Sequence, residues 1–477
     1  MEKESLTLLP DFRANNPELY DAIRKVVPSS LKVYLVGGAV RDILLGRPIR
    51  DYDFCAEGLV RPIGKSIANE LNGAYYVLDD EREMVRVVIN VGESNAYDVD
   101  IALLSGDRIE DDLRERDFTI NAMAIELGTN PRLIDPLNGF FDLHTKTLRM
   151  CSPNSLRNDP LRALRAIRMF LEFDMTMDSE LLGEMFSISD SLGQSSYERH
   201  RDELFKIIKL GRNRIMTRLL RKYDFLNFLF PGCLTDNWDP RINSIVAMDS
   251  IFKLLRTQPE VRNNDDFFSS YLTGKVGNHR HSLSDFFEKT LALYHTRRML
   301  LCLGMIERVL SDHDEQQMLA WNKNLTLSGS ESAFIKNSSA AADFLLDGID
   351  AKAWSDVDTY RYFLRFKEGG IGGVMLYLAH IYAGADTSEK FGLWTTAVDL
   401  AEKLISDYFS RYNEVIAPAP FLSGNDIQTA TGLAAGPAIG RLKKELLEAQ
   451  VMGTVTNAAE ARNFIEKAAA EINERRD

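Results

Sequence analysis

Cysteine is scarce: Cys55, Cys151, Cys233 and Cys302 are scattered through 477 residues without a single C-x-x-C pair. That excludes a disulfide framework and a cysteine-based zinc site, and it implies reduced packing thiols in a cytoplasmic protein. The seven histidines form no H-x-x-x-H pair, and His313-Asp314 is the one His-Asp dipeptide, so a histidine-based metallohydrolase is excluded as well. No apolar run approaches the ~18 residues that cross a bilayer. The most membrane-like stretch, Val374 to Tyr382, is short and carries His380. Met1-Glu2-Lys3-Glu4 opens acidic with no apolar signal core behind it, so secretion and membrane attachment are not expected. Positive charge is also in deficit, with 57 Lys+Arg against 70 Asp+Glu and a net charge of −13. Phosphate neutralisation supplies most nucleic-acid affinity, so only a local basic surface permits RNA binding. One such band exists: Arg157, Arg162, Arg165, Arg168, Arg199, Arg201, Lys206, Lys209, Arg212, Arg214, Arg218, Arg221 and Lys222. The same pattern also suits a solvated helix face.

What the chain does carry is concentrated near its start. Leu35-Val36-Gly37-Gly38-Ala39-Val40-Arg41-Asp42 is followed nine residues on by Asp51-Tyr52-Asp53. The run Val33 to Val36 reads as a buried strand that ends on two glycines, where the missing Cβ atoms let a phosphate approach the backbone. Asp51 and Asp53, at i and i+2 on a strand, share one face roughly 6.6 Å apart. Carboxylates so close repel unless a cation joins them, and magnesium prefers oxygen ligands of this kind. The pattern is that of a nucleoside triphosphate site; the bland alternative is a turn before an edge strand with two solvated acids.

From 31 to about 148 short strands (Val33–Val36, Tyr52–Ala56, Val85–Val91, Ala96–Leu103) alternate with helices, after a helical stretch at 1–30. Beyond about 152 helical periodicity takes over, as in the apolar stripe Leu161, Leu164, Ile167, Phe170 and Leu171. The expected class is α+β: a head with a small mixed sheet at 1–150, then a helical neck at 151–212, body at 213–420 and tail at 421–477. The polar stretch 257–283 reads as an exposed loop, and Gly369-Gly370-Ile371-Gly372-Gly373 as a plain loop before a helix.

The ordered set Gly37, Gly38, Arg41, Asp42, Gly46, Arg47, Asp51 and Asp53 resembles the class II tRNA nucleotidyltransferases and bacterial poly(A) polymerases. The resemblance implies a head that binds CTP or ATP with Mg2+ and a helical remainder that binds the 3′ end of tRNA. It implies Asp51 and Asp53 as catalytic metal ligands, with Asp100 the acid of the later strand and Asp98 in reserve. Arg114-Glu115-Arg116-Asp117-Phe118-Thr119-Ile120-Asn121-Ala122 is similar to the family's ribose-recognising segment, with Arg116 suited to phosphate and Asp117 and Asn121 to sugar hydroxyls. Glu115 stands where the family usually has Arg. In Arg157-Asn158-Asp159-Pro160-Leu161-Arg162, the resemblance makes Asp159 and Arg162 the pair that reads a cytosine or adenine edge, with Arg165 directed to phosphate or RNA. Read on its own, Asp before Pro is an ordinary helix start. Asn158 replaces the family's usual Glu. Ser195 to Leu204 resembles a bracing segment, which makes Glu198 and Glu203 structural.

The resemblance also ranks the reactions. Only fifteen residues, Ile101 to Glu115, separate Asp100 from Arg116, and no Thr-x-Arg follows the strand acid. Family members that add the whole of CCA usually carry a longer loop here, so partial addition is expected, of CC or of A. Poly(A) synthesis, a small-molecule nucleotidyltransferase and a non-catalytic RNA-binding relative are the alternatives.

Overall fold

Strand β1, Val33–Val36, is apolar throughout because all four residues are buried. It sits inside a seven-stranded mixed sheet with β2 (Asp51–Ala56), β3 (Ala74–Asp79), β4 (Met84–Ile89), β5 (Tyr97–Leu103), β6 (Ala124–Glu126) and β7 (Arg132–Ile134). The order is β3-β4-β5-β2-β1-β6-β7. Only β2 and β5 run parallel; the remaining neighbours are antiparallel. The computed structural model describes residues 12–90, 96–128, 131–234, 238–256, 267–292, 295–348, 353–384 and 389–474. The expected helical stretch at 1–30 is thus described from Phe12 onward, as Phe12–Asn15 and Pro17–Val26, and the expected end of the third predicted strand at Val91 lies outside the described residues.

Period-two alternation decides which face of the sheet does chemistry. Along β4 and β5, Val85, Val87, Ile89, Val99 and Ile101 are buried, with the helix Val60–Glu70 packed against β4. The intervening residues, Arg86, Asp98 and Asp100, therefore share the opposite, polar face. Register brings Asp51 beside Asp98 and Asp53 beside Asp100, and Arg86 beside Asp100 from the other side.

The chain divides into two compact units, Met1–Glu203 with Lys222–Phe225, and Leu204–Arg221 with Leu226–Asp477. The second unit is helical. Two expectations there are corrected. Of the stretch read as an exposed loop, 257–266 lies outside the described residues, but the remainder belongs to the helices Phe267–Val276 and Arg280–Glu288, joined by a 3-10 turn at Gly277–His279, with Leu272, Leu283 and Phe287 buried. The glycines of 369–373 are not a loop either, because the helix Gly369–Ala383 begins with them. A Cβ on Gly372 would strike the Ser338 hydroxyl, and one on Gly373 would strike Ala341, both on the helix Gly329–Leu346. Glycine serves here to bring two helices close, which outweighs its low helix propensity of about 1 kcal/mol per residue. The last three helices, Gly424–Thr431, Pro437–Val451 and Ala458–Glu474, enclose a small core of their own that includes Ile427, Leu442, Leu446 and Ile465. Among the described residues no helix is long and apolar enough to cross a membrane.

Candidate active site

The site begins where β1 stops. Gly37 adopts φ 72°, in the left-handed region, and the helix Gly38–Leu44 follows it. A side chain at Gly37 would press on Arg116 Nη1 at 2.9 Å and stand 3.6 Å from Asp53 Oδ2. The bare glycine thus lets Arg116 and Asp53 close on one point. Its own N–H donates to the Met123 carbonyl at 3.3 Å, so this amide is already engaged.

On the polar sheet face, Asp51 is exposed and Asp53 partly buried. Burial, the Asp100 charge and, more weakly, Asp51 push the Asp53 carboxyl up to about 6, against the pull of Arg116 and Arg86. Like charges crowd this face, which is the electrostatic condition for a divalent cation. The donor set is all carboxylate oxygen, which suits a hard ion. Asp100, however, is clasped by Arg86 through Nε–Oδ1 and Nη2–Oδ2 contacts of 2.7 Å each. Among the described residues no three acidic, histidine or cysteine side chains are gathered as a ready-made cage. The residues therefore fit a cation held by Asp51 and Asp53, with its remaining ligands supplied from outside the chain.

Five of the other predicted residues, Asp42, Arg41, Asn121, Asp117 and Arg165, form one continuous chain of hydrogen bonds within the first unit. Asp42 accepts from Arg41 Nε and Nη2 at 3.0 and 3.1 Å. Arg41 Nη1 donates to Asn121 Oδ1 at 2.6 Å, and Asn121 Nδ2 donates to Asp117 Oδ1 at 3.1 Å. Asp117 also accepts from the Phe118 N–H at 2.8 Å and from Arg165 Nε at 2.8 Å. Asp117 is almost wholly enclosed. Burial alone would raise its pKa, but Arg165 and the bonds from Asn121 and Phe118 more than offset it and hold the carboxyl below its ordinary value. Burial likewise pulls the Arg41 guanidinium down, and that side chain is stacked 4.4 Å from the Phe173 ring centroid. The segments around Arg41, Asp117 and Arg165 are thereby locked to each other.

Arg165 is the main surprise among these positions. The sequence directs it to phosphate or RNA, but the structure spends it on Asp117, which lies 48 residues away in sequence. Arg162 is held by Ser155 Oγ at 2.9 Å and by the carbonyls of Glu115 and Arg116 at 2.8 and 3.1 Å. These oxygens steady the arginine, since Asn158 is exposed. Asp159 accepts from the Leu161 N–H at 3.3 Å, as a helix-start residue does, and also from Arg199 Nη2 at 2.8 Å. Asp159 and Arg162 are thus neighbours in sequence, each braced by a different partner.

Three side chains that the motifs leave out belong to the site. Asp112 pairs with Arg116 at 3.0 Å. Arg199 pairs with Asp159, and Arg86 with Asp100. Of these, Arg86 had a visible signal, since it is the only charge in the apolar run Met84–Ile89. Glu203, read as structural, is buried and accepts from Arg168 Nε at 2.5 Å. Much of the proposed basic band is engaged in the same way, with Arg157 on Glu184 and Arg201 on Asp202.

Comparison with known proteins places this geometry. The family described as "Poly A polymerase head domain" matches residues 33–149, and "Probable RNA and SrmB- binding site of polymerase A" matches 174–235. A CC-adding tRNA nucleotidyltransferase of Geobacter sulfurreducens is 38% identical over 177 residues, which is 37% of this chain and 40% of that protein. The chain thus spans two-fifths of that relative's length. An A-adding tRNA nucleotidyltransferase of Deinococcus radiodurans is 28% identical over 451 residues, 92% of this chain and 95% of the relative. The structure of the Thermotoga maritima CCA-adding enzyme complexed with tRNA has the same fold, with a TM-score of 0.61 at 21% identity over 97% of both chains.

Proposed function

We propose that this chain, which matches the poly(A) polymerase head domain over 33–149 and the associated RNA-binding region over 174–235, is a tRNA nucleotidyltransferase that adds C or A nucleotides, from CTP or ATP, to the 3′ end of tRNA without a template. The observation that carries this reading is the polar sheet face, where Asp51 and Asp53 stand beside Asp98 and Asp100 and next to Gly37 and Arg116. A terminal ribose hydroxyl forms a bond to the α-phosphate while the bond to the pyrophosphate leaving group breaks. Asp51 and Asp53 are the side chains that would hold Mg2+, which when bound supplies charge offset for the attacking and leaving oxygens. Arg116, fixed by Asp112, faces the triphosphate. Asp117 and Asn121 position the ribose through the rigid chain that runs from Asp42 to Arg165. Asp159 accepts from an exocyclic amine and Arg162 donates to a ring acceptor, a combination that cytosine and adenine share and that uracil and guanine lack.

Within the family we favour partial addition. The span from Asp100 to Arg116 is almost used up by regular structure, since β5 runs to Leu103 and a helix occupies Ile109–Arg114. Only Leu104 to Arg108 is left to reshape the pocket between nucleotides. Two of the relatives compared above are named as CC-adding and A-adding enzymes. The proposed division of labour remains a head at 1–150, a neck at 151–212 that carries base reading, a helical body at 213–420 and a tail at 421–477 that binds RNA. The four free cysteines suit a reducing cytoplasm. The test is product length on a tRNA that ends at its discriminator base, with CTP alone, ATP alone and both together. Partial addition predicts that one nucleotide is added well and the switch to the other is poor. A complete CCA end formed at one uniform rate would overturn the partial reading, and a long A tail on unrelated RNA would favour a poly(A) polymerase.

A further inference from the structure

Arg86 stands in a position that the reaction does not obviously require. It lies on β4, one strand further from Asp53 than Asp100 is, on the polar face of the sheet. Its neighbours Val85 and Val87 are fully buried, so the pleat leaves its side chain no direction but toward the carboxylates. It forms a two-pronged pair with Asp100 and a looser contact of 3.6 Å with Asp98. The Asp100 side chain is only 12% exposed in this clasp. A fork-on-fork arginine–carboxylate pair is directional and engages both oxygens, so the clasp fixes Asp100 toward Arg86 and competes with a cation for it.

We propose that Arg86 is a positioning residue that withdraws Asp100 from cation binding and leaves Asp51 and Asp53 as a deliberately weak, two-carboxylate site. Four aspartates share this face with Arg86, while Arg116 approaches Asp53 from outside the sheet. Without the Arg86 guanidinium, a third carboxylate would be free to ligate and the field at the site would be more negative; both changes tighten a divalent ion. With Arg86 in place, the pair holds a cation loosely until triphosphate oxygens complete its ligand set. The proposal rests on the nucleotidyltransferase reading of Asp51 and Asp53, and the test separates the two.

The experiment titrates Mn2+ into the full-length protein without nucleotide and monitors the electron paramagnetic resonance of free Mn2+. Arg86→Gln is expected to bind Mn2+ about tenfold more tightly or better, and adding Asp100→Asn to that variant to remove the gain. Asp100→Asn alone is expected to weaken binding several-fold, because it takes a negative charge from this face and leaves the Arg86 guanidinium uncompensated. Arg86→Lys, which keeps the charge and loses the fork, should fall between wild type and Arg86→Gln. The Arg86 side chain is 38% exposed, so these variants leave the core intact. Unchanged or weaker binding in Arg86→Gln, or a gain that persists when Asp100→Asn is added to it, would overturn the role of Arg86 while Asp51 and Asp53 stand. Mn2+ binding that survives Asp51→Asn combined with Asp53→Asn would overturn the metal site itself, and this proposal with it.

Discussion

Arg165→Met removes the guanidinium that faces Asp117 while preserving most of the side-chain bulk. The Asp117 side chain is only 7% exposed, and that of Arg165 35%. Breaking a buried ion pair by deleting one partner costs about 3–5 kcal/mol. The cost here is smaller, because Arg165 is partly solvated and Asp117 keeps two bonds, from the Phe118 N–H and the Asn121 amide. A loss of about 2–3 kcal/mol is expected. The pH dependence gives the claim its edge. Asp117 is held below its ordinary pKa, so its contribution is complete above the unfolded carboxylate value and lost as pH falls through the lowered one. The gap between wild type and variant should be full at pH 7 and should close below about pH 4. All four tryptophans, Trp238, Trp321, Trp354 and Trp394, lie in the second unit, so fluorescence does not report the head. Hydrogen exchange in peptides covering residues 117–125 does, and it should speed up roughly 30- to 150-fold at pH 7. Unchanged exchange there, or a difference that persists undiminished in acid, would refute the reasoning.

The same kind of contact sets two further outcomes. Asp159→Ala should relax discrimination against UTP and GTP, by about 1.5–3 kcal/mol for each lost bond to a charged group, more than it weakens triphosphate binding; unchanged nucleotide preference would return Asp159 to a purely helix-starting role. Glu307 is fully buried in the helix Arg297–Ser311 with neither carboxyl oxygen hydrogen-bonded, and burial raises its pKa well above the ordinary value. Its neutral form is the one that fits the fold, so stability is greatest below the unfolded carboxylate pKa and falls as pH rises toward the raised one. Glu307→Leu should therefore stabilise the second unit by about 1–3 kcal/mol in a urea melt monitored by tryptophan fluorescence, with a gain larger at pH 8 than at pH 4.

The parts of the molecule that were legible in the sequence are those governed by local rules. Alternation in Asp98-Val99-Asp100-Ile101 places the acids on one face, and β5 does so. The spacing of Asp117 and Asn121 makes them neighbours, and they are bonded across a short 3-10 turn at Thr119–Asn121. What stayed hidden depends on partners far along the chain. Nothing near Arg165 indicates that a carboxylate from residue 117 will claim it. Nor does anything near Asp100 announce Arg86, although a lone charge in an apolar strand was a signal available to be read. The glycines at 369–373 mislead for a related reason: glycine marks a loop by local propensity, but contact with Ser338 and Ala341 rewards it inside a helix. The family motifs single out residues that the fold brings together, and long-range packing decides which of them hold the others in place.

The central claim is that Asp51 and Asp53 carry nucleotidyl transfer to RNA. Its most direct test is the incorporation of label from α-labelled CTP or ATP into tRNA lacking its 3′ end, with pyrophosphate release measured in the same tube, for the wild type and for Asp53→Asn in magnesium buffer. The account predicts equal label and pyrophosphate from the wild type, and loss of both in Asp53→Asn with hydrogen exchange across the head unchanged. A wild type that incorporates nothing, or an Asp53→Asn variant that retains substantial transfer, would contradict it.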